Sequence, residues 1–255
     1  MQSELTQIRS SGWRLGFGNL IRRELSQWFG TRTWLMQAMF WGLILGGFTL
    51  MIVGTADSAS TPEERILTGQ MLFTIFGSIF PAIAIVIFST GAILEEKERG
   101  TAAWILSKPV SRTAFILAKM FVGVISYGVS LVLIPGLIVF TILYLAVGAI
   151  PLGSFILGLG PMMLWYTFIH FLCICLGTFF NGAGPVAGPA SVSLFFVNAF
   201  DLSGIGAYTP WTLSFVARDL MQGNPITSIT PVIATLIILV ALLVLALWRF
   251  SREEF

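Results

Sequence analysis

The sequence has little charge and few of the side chains that catalyse reactions or bind metal ions. Of its 255 residues, 10% are charged, one is histidine and two are cysteine. A soluble domain carries about 25% charged residues because its surface faces water. The low charge, together with 56% hydrophobic residues and a mean hydropathy of +0.90, excludes an ordinary soluble protein and indicates a surface that faces lipid.

Nucleotide-binding motifs are also missing. The phosphate-binding pattern G-x-x-x-x-G-K-[ST] does not occur, so the chain does not bind ATP in the manner of a P-loop ATPase. The Gly-x-Gly pairs that begin at Gly16, Gly158 and Gly204 are not followed by the rest of a dinucleotide fingerprint. We therefore expect no catalytic residue, no cofactor bound by this chain and no nucleic-acid partner.

The single histidine, His170, lies one helical turn before Cys173. Both side chains are of types that bind metal ions, but two ligands on one helix do not complete a metal site. Cys173 and Cys175 would point to nearly opposite sides of a helix, which argues against a disulfide between them. The sequence therefore predicts no metal site, and a buried histidine that is hydrogen-bonded to a neighbouring helix.

Six apolar stretches are candidates to cross a hydrocarbon layer of about 30 Å, which takes roughly 20 helical residues. The third has no polar turn, so a hairpin is rejected, and Pro135-Gly136 predicts a kink. The fifth is short for a full crossing, and a partial span that continues beyond Asp201 is the alternative. The stretches are residues 34–54, 71–94, 115–147, 155–180, 185–200 and 231–248.

The distribution of basic residues supports six crossings. With six, all of the 14 basic residues except Arg65 and Arg218 fall on one side of the membrane. Basic residues accumulate on the cytoplasmic side of membrane proteins. We therefore expect a multi-pass protein of the plasma (inner) membrane with both termini in the cytoplasm, and no cleaved signal peptide at the N-terminus.

Residues 1–33 contain an amphipathic pattern before the first span. Aromatic and aliphatic side chains recur at helical spacing, with arginines largely between them. This pattern is typical of a helix lying in the membrane interface, in contact with anionic lipid. The alternative, that these residues simply begin the first span, is weakened by the charges and by Gly30. The residues of the proposed interfacial helix are Trp13, Phe17, Arg22, Arg23 and Trp28.

Residues 201–230 are too apolar for a solvated loop and too interrupted for a span. Pro210 precedes an apolar segment, and Gly223-Asn224-Pro225 follows it. The segment predicts a short helix that re-enters the outer leaflet, where irregular backbone must be buried in protein or line a cavity.

Residues 95–112 follow the second span; they begin with a charged segment and continue as a predicted short apolar helix. The acidic residues are Glu95, Glu96 and Glu98, and the apolar helix begins at Thr101 and presents Trp104, Ile105 and Leu106. Pro109 ends this helix and Ser111 can cap the next one. Such an apolar surface framed by charge is a plausible docking element for a soluble partner. The alternative is a plain charge run followed by an interfacial turn.

This loop closely resembles the cytoplasmic loop of ABC-2 type permeases, the membrane subunits of ATP-driven exporters. The shared order is an acidic cluster, Gly100-Thr101, a hydrophobic patch, a Ser-x-Pro-x-Ser-Arg segment, Phe115 and Lys119. Residues 21–25 with Arg32 resemble the N-terminal interfacial helix of that family, and residues 208–223 resemble its outer re-entrant region. The resemblance implies an all-α membrane protein with six transmembrane helices, forming one permease domain over residues 1–255.

The resemblance implies that two permease subunits pair with two P-loop ATPase subunits, as in that family. It also implies that the ATPase subunits bind ATP and Mg. We therefore expect a homodimer whose coupling helix, residues 101–107, docks into the ATPase. Trp104, Ile105 and Leu106 would be its buried contacts, and Glu95, Glu96 and Glu98 would surround them.

The aromatic fifth stretch, with Phe195, Phe196 and Asn198, is a candidate lining for the pathway. It mildly favours an amphipathic or lipid-like substrate taken from within the membrane. Two alternatives remain open. One is a carrier or channel that works without nucleotide, which would need internal repeats or buried ionisable groups; the other is a membrane anchor or assembly subunit that moves nothing.

Overall fold

The computed structural model describes residues 12–55, 61–148, 150–197, 199–200, 204–226 and 228–253. It is 85% helical, and the described residues form no strand. Within these ranges there are ten α-helices: α1 (Phe17–Phe29), α2 (Thr33–Thr55), α3 (Pro62–Glu98), α4 (Thr101–Leu106), α5 (Arg112–Tyr127), α6 (Ile134–Val147), α7 (Leu152–Phe179), α8 (Ala183–Phe195), α9 (Leu213–Met221) and α10 (Thr230–Ser251).

Five helices in the described ranges are long and apolar enough to cross a membrane. They are α2, α3, the continuous helix Arg112–Val147 that contains α5 and α6, α7 and α10. The predicted fifth span, residues 185–200, corresponds to α8, which has 13 residues. At 1.5 Å per residue α8 is about 20 Å long, shorter than the hydrocarbon layer of about 30 Å.

Helix α3 is longer than the predicted span of residues 71–94, because it begins with a capping box that the sequence analysis did not identify. The Glu64 N–H donates to Thr61 Oγ1 (3.3 Å), and the Thr61 N–H donates to Glu64 Oε2 (2.8 Å). These bonds satisfy backbone donors at the start of a helix. The charges around Glu64 therefore belong to the first turn of the helix and not to a loop.

The third predicted span is continuous, which confirms the rejection of a hairpin. Its irregularity is a π-helical segment, Gly128–Leu133, in which the Ile134 N–H bonds to the Val129 carbonyl five residues back. Pro135 follows directly. Proline has no N–H and its ring crowds the carbonyl four residues before it, so a wider turn at this point relieves the clash.

Helices α2 and α6 approach closely at Gly42 and Gly46. A Cβ on Gly46 would lie 2.7 Å from Ile142 Cδ1, and a Cβ on Gly42 would collide with Ile138. The Gly-x-x-x-Gly pattern of α2 therefore has the packing role that such patterns often have between membrane helices.

Four segments distant in sequence meet at one end of the bundle, which we name the charged end. Lys97 Nζ lies 2.7 Å from Glu253 Oε1 and donates to Asn181 Oδ1 at 3.3 Å. Arg112 donates to the carbonyls of Ser251 (2.9 Å) and Glu253 (2.6 Å). The last turn of α3, the start of α5, the turn before α8 and the C-terminal residues thus lie together, as the distribution of basic residues predicted.

Helix α9 lies at the opposite end, within the region predicted to contain a short helix. It packs on α3 and α7, and Gln70 Nε2 donates to the Met221 carbonyl at 3.1 Å. Trp211 Nε1 donates to Ser193 Oγ at 2.8 Å, which ties the preceding turn to α8. Residues 201–203 and 227 of the predicted region lie outside the described residues.

Candidate functional site

The predicted coupling helix is present as α4 at the charged end. Gly100, with φ of 66°, separates it from α3 in a left-handed conformation that glycine adopts without strain. The Ala114 N–H donates to Ser111 Oγ at 2.9 Å at the start of α5, which confirms the predicted cap. Thr101 Oγ1 donates to the Glu96 carbonyl at 3.2 Å. Helix α4 is therefore tied to the end of α3 at its first residue, and α5 begins with its own cap five residues after α4 ends.

The two central apolar residues of α4 have opposite environments. Trp104 is 62% exposed and Ile105 is 6% exposed. Ile105 belongs to a buried cluster that includes Leu20 and Phe115, whereas Lys108 Nζ lies 3.4 Å from the centroid of the Trp104 ring. The structure thus places Ile105 in the core of this chain and leaves Trp104 on the surface. The Leu106 side chain lies outside what is described.

The predicted interfacial helix is α1, and it packs beside the coupling loop. The Ser111 N–H donates to the Leu15 carbonyl at 3.0 Å, Phe17 is half-buried, and Arg22 is exposed. Trp28 Nε1 donates to Ser130 Oγ at 3.2 Å. The side chain of Trp13 falls outside the described set.

A groove of about 530 Å³ runs between α1 and α4. Its charged lining residues are Arg14, Arg23 and Lys108, and no acidic side chain of the described chain lines it. Trp104 lies among these basic residues. The groove can therefore accept a partner that offers an apolar pocket for an aromatic ring together with acidic groups.

A buried ionic network joins three helices behind this groove. Lys119 of α5 is 5% exposed, and its Nζ lies 3.2 Å from Glu96 Oε2 and 3.5 Å from Glu24 Oε1. Arg23 Nη2 lies 3.3 Å from Glu96 Oε1. Of the acidic residues predicted to surround the coupling helix, Glu96 is thus engaged inside the chain. Glu95 is exposed and pairs with Arg99, and Glu98 is exposed.

A polar cavity of about 540 Å³ adjoins the network. It is lined by α1, α3, α5 and α7 and extends from Glu95 near the charged end to Tyr127 and His170. No sequence pattern predicted this cavity. The available signal was Lys119, a charge two turns into α5 among apolar residues, seven positions after Arg112 at the start of that helix.

His170 lies at the deep end of the cavity and is 1% exposed. Its Nδ1 is 2.8 Å from Ser89 Oγ, and its Nε2 is 3.3 Å from the Lys119 carbonyl, which can only accept. The predicted hydrogen bonding to neighbouring helices is confirmed. Cys173 is free and buried.

The predicted pathway residues lie on and after α8, away from this cavity. Phe195 is 83% exposed, while Phe196 packs on Trp211 with ring centroids 4.9 Å apart. Asn198 lies outside the described residues. Their part in a pathway stays a prediction.

A family model with the description "ABC-2 family transporter protein" matches residues 48–255. The matched range begins within α2 and includes α4, the cavity-lining parts of α3, α5 and α7, and α9; α1 precedes it. No curated protein matches the chain.

Proposed function

The chain belongs to the ABC-2 family of transporter proteins, and from this membership we propose that it is the permease subunit of an exporter driven by a separate ATPase. The observation that carries the proposal is Trp104, an exposed aromatic side chain on a short helix whose next residue, Ile105, is buried in the bundle. A buried aromatic anchor is a common energetic centre of a protein–protein interface.

In the proposed complex, two copies of a P-loop ATPase bind ATP and Mg and dock at the charged ends of two permease subunits, which form a homodimer. Both termini of the permease lie in the cytoplasm of a cell whose plasma membrane it spans six times. In this arrangement α8 is the short fifth crossing, and α9 is re-entrant in the outer leaflet.

Force from the ATPase would enter at α4 and reach the spans through contacts within this chain. Ile105 anchors α4 in the core, and Thr101 bonds to the end of α3. Glu96 continues the connection through Lys119 to α5. Rigid contacts of this kind are required if a displacement at the loop is to move the helices, because packed interfaces change between discrete arrangements.

Among the acidic residues of the loop, the exposed Glu95 and Glu98 are the proposed contacts around Trp104. Glu96 instead links the loop to the bundle. Arg22, exposed on α1, remains a proposed contact to anionic lipid. Phe195 and Phe196 are proposed to face the second subunit, where the pathway would lie.

Substitution of Trp104 by alanine tests the proposal. Removal of a buried interface anchor costs about 2 kcal/mol or more, which corresponds to roughly 30-fold weaker association. We expect Trp104→Ala to lower co-purification of a P-loop ATPase by that factor and to reduce ATP hydrolysis by the complex in reconstituted vesicles.

Trp248→Ala is the matched control, because Trp248 is also exposed and also lies near a basic group, with Arg252 Cζ 4.5 Å from its ring. Trp248 does not line the groove, so the change should leave ATPase association there unchanged. Equal recovery of the ATPase with the Trp104 variant and the wild type would refute the docking role. Transport by the permease alone, without nucleotide, would favour the carrier alternative.

A further inference from the structure

The polar cavity at the charged end has an equal number of charges of each sign in its lining. The basic residues are Arg23, Arg99 and Lys119, and the acidic residues are Glu24, Glu95 and Glu96. Their formal charges cancel. A molecule with a net charge therefore gains no overall attraction from the cavity, whereas a molecule with both charges can approach groups of both signs.

Two residues that line the cavity each have a buried polar atom without a hydrogen-bond partner in the described chain. Ser126, which is 2% exposed, leaves its Oγ unpartnered. Arg23 Nη1, a donor, is 3.8 Å from Glu24 Oε1, too far for a hydrogen bond. Buried polar groups are nearly always hydrogen-bonded, so unpartnered groups around one cavity point to an occupant that supplies the missing donors and acceptors.

The cavity also has an apolar side that reaches the molecular surface. Phe88, Ala92 and Val122 line it, and Ile87, at 64% exposure, lies both on its lining and on the outer face of α3. Ile87 is eleven residues before Glu98, the last residue of α3, or about 16 Å from the end of that helix. Ile87 therefore brings this side of the cavity to the surface within the apolar part of the span.

We propose that this cavity binds the zwitterionic headgroup of an amphiphile, with its phosphate facing Arg23, its ammonium group facing Glu96, and its acyl chain leaving the cavity past Ile87 into the membrane. The volume of about 540 Å³ lies within the usual range of small-molecule sites. The inference rests on the proposed transport function, because it names the chemical class of molecule that the permease takes from the membrane.

Direct binding to the purified protein tests this inference, with the number of bound lipids counted by native mass spectrometry. The probe is dioctanoyl phosphatidylethanolamine, and the comparison lipids are dioctanoyl phosphatidylglycerol, which has a net negative charge, and a dioctanoyl trimethylammonium lipid, which has a net positive charge. We expect both comparison lipids to bind at least about tenfold more weakly, because each lacks one of the two headgroup charges and so loses its contact with either Arg23 or Glu96. Equal binding of either would overturn the proposed headgroup chemistry.

Gly91→Leu fills the cavity. A Cβ on Gly91 would meet only the Glu95 side chain, 3.0 Å from Oε1, so the backbone can accept it. We expect binding of dioctanoyl phosphatidylethanolamine to fall at least tenfold. Ser126→Ala, which removes one unpartnered hydroxyl, should weaken binding about fivefold, and it keeps the test decisive if the larger side chain impairs folding.

Ser78→Ala is the matched control, since Ser78 is equally buried in α3 but bonds to the Thr74 carbonyl and does not line the cavity. Free phosphoethanolamine, which has no acyl chain, should bind at least tenfold more weakly than the lipid because it buries no apolar tail. Equal binding of the free headgroup, or unchanged lipid binding by both cavity variants, would overturn the inference.

The result is separable from that of the ATPase experiment. If Gly91→Leu keeps ATPase association and binds the lipid as the wild type does, the cavity site is refuted while the permease assignment stands. If lipid binding depends on Gly91 and Ser126 but no ATPase associates with the wild type, the site is supported and the proposed function fails.

Discussion

Two short helices outside the long spans, α4 at the charged end and α9 at the opposite end, are packed in contrasting ways. Leu213, Ala217 and Met221 of α9 are fully buried, whereas Trp104 of α4 is largely exposed. A helix that is covered by its own chain can hold spans together. A helix that is anchored on one side and exposed on the other can also receive a partner.

The forces that stabilise the two ends differ as well. At the charged end, the ion pairs of Lys119 with Glu24 and Glu96 connect α1, α3 and α5. At the opposite end, α9 lies so close to α7 that Gly158 has room for no side chain. The stability of the charged end should therefore be sensitive to substitutions that change the charge of a side chain. The stability of the opposite end should be sensitive to substitutions that change the volume of a side chain.

The largest effect is expected from Lys119→Met, which removes the cation that Glu24 and Glu96 share. Glu24 and Glu96 would then share Arg23 alone, which leaves one partly buried negative charge uncompensated. Breaking a buried ion pair costs up to about 3–5 kcal/mol in the free energy of unfolding. Thermal unfolding in detergent should show a clear loss of stability relative to the wild type.

Arg99→Met is the control for this prediction. Arg99 and Glu95 also form an ion pair, at 3.1 Å, but their side chains are 73% and 60% exposed. An exposed pair contributes about 1 kcal/mol or less. Equal destabilisation by the two substitutions would show that the network is not effectively buried, and would weaken the contrast between the two ends.

Gly158→Ala should have an intermediate effect at the opposite end. The added Cβ would collide with the Met221 side chain and would lie 2.6 Å from the Ala217 carbonyl oxygen, which cannot rotate away. Overpacking of this kind costs about 1–3 kcal/mol. The unfolding temperature should fall, and added salt should leave the difference from the wild type unchanged.

Gly160→Ala provides the matched control on the same helix, because a Cβ there meets no atom of the described chain within 4 Å. It should unfold as the wild type does. If both glycine variants were equally stable, α9 would not be packed against α7 as closely as the structure has it.

The smallest effect is expected from Trp211→Phe, which keeps an aromatic ring beside Phe196 and Phe200 but removes the hydrogen bond to Ser193. One such bond contributes about 1 kcal/mol. Combining Trp211→Phe with Ser193→Ala should cost little more than the single change, since both remove the same bond. Fully additive losses in unfolding experiments would contradict this link between α8 and the turn before α9.

Several local features could be predicted from sequence because neighbouring residues determine them. The cap at Ser111 and the uninterrupted third span are examples, both confirmed by the structure. The start of α3 was predicted too late, because charged Glu63 and Glu64 resemble a loop unless Thr61 is recognised as the capping residue.

The opposite environments of Trp104 and Ile105 could not be predicted, since both are apolar residues of a helix only six residues long. Which of them is buried depends on where α1 lies, and α1 is about 80 residues earlier in the chain. The same is true of Lys119, whose two acidic partners come from α1 and α3.

The amino-acid sequence by itself determined that this protein is a helical membrane protein and where most of its apolar helices lie, because the length and hydrophobicity of a segment are local properties. Only the tertiary structure decided which residue of the loop after α3 is exposed to a partner. It also decided that equal numbers of positive and negative side chains line one cavity. Those features arise where separate helices meet, and their distances depend on how the whole bundle packs.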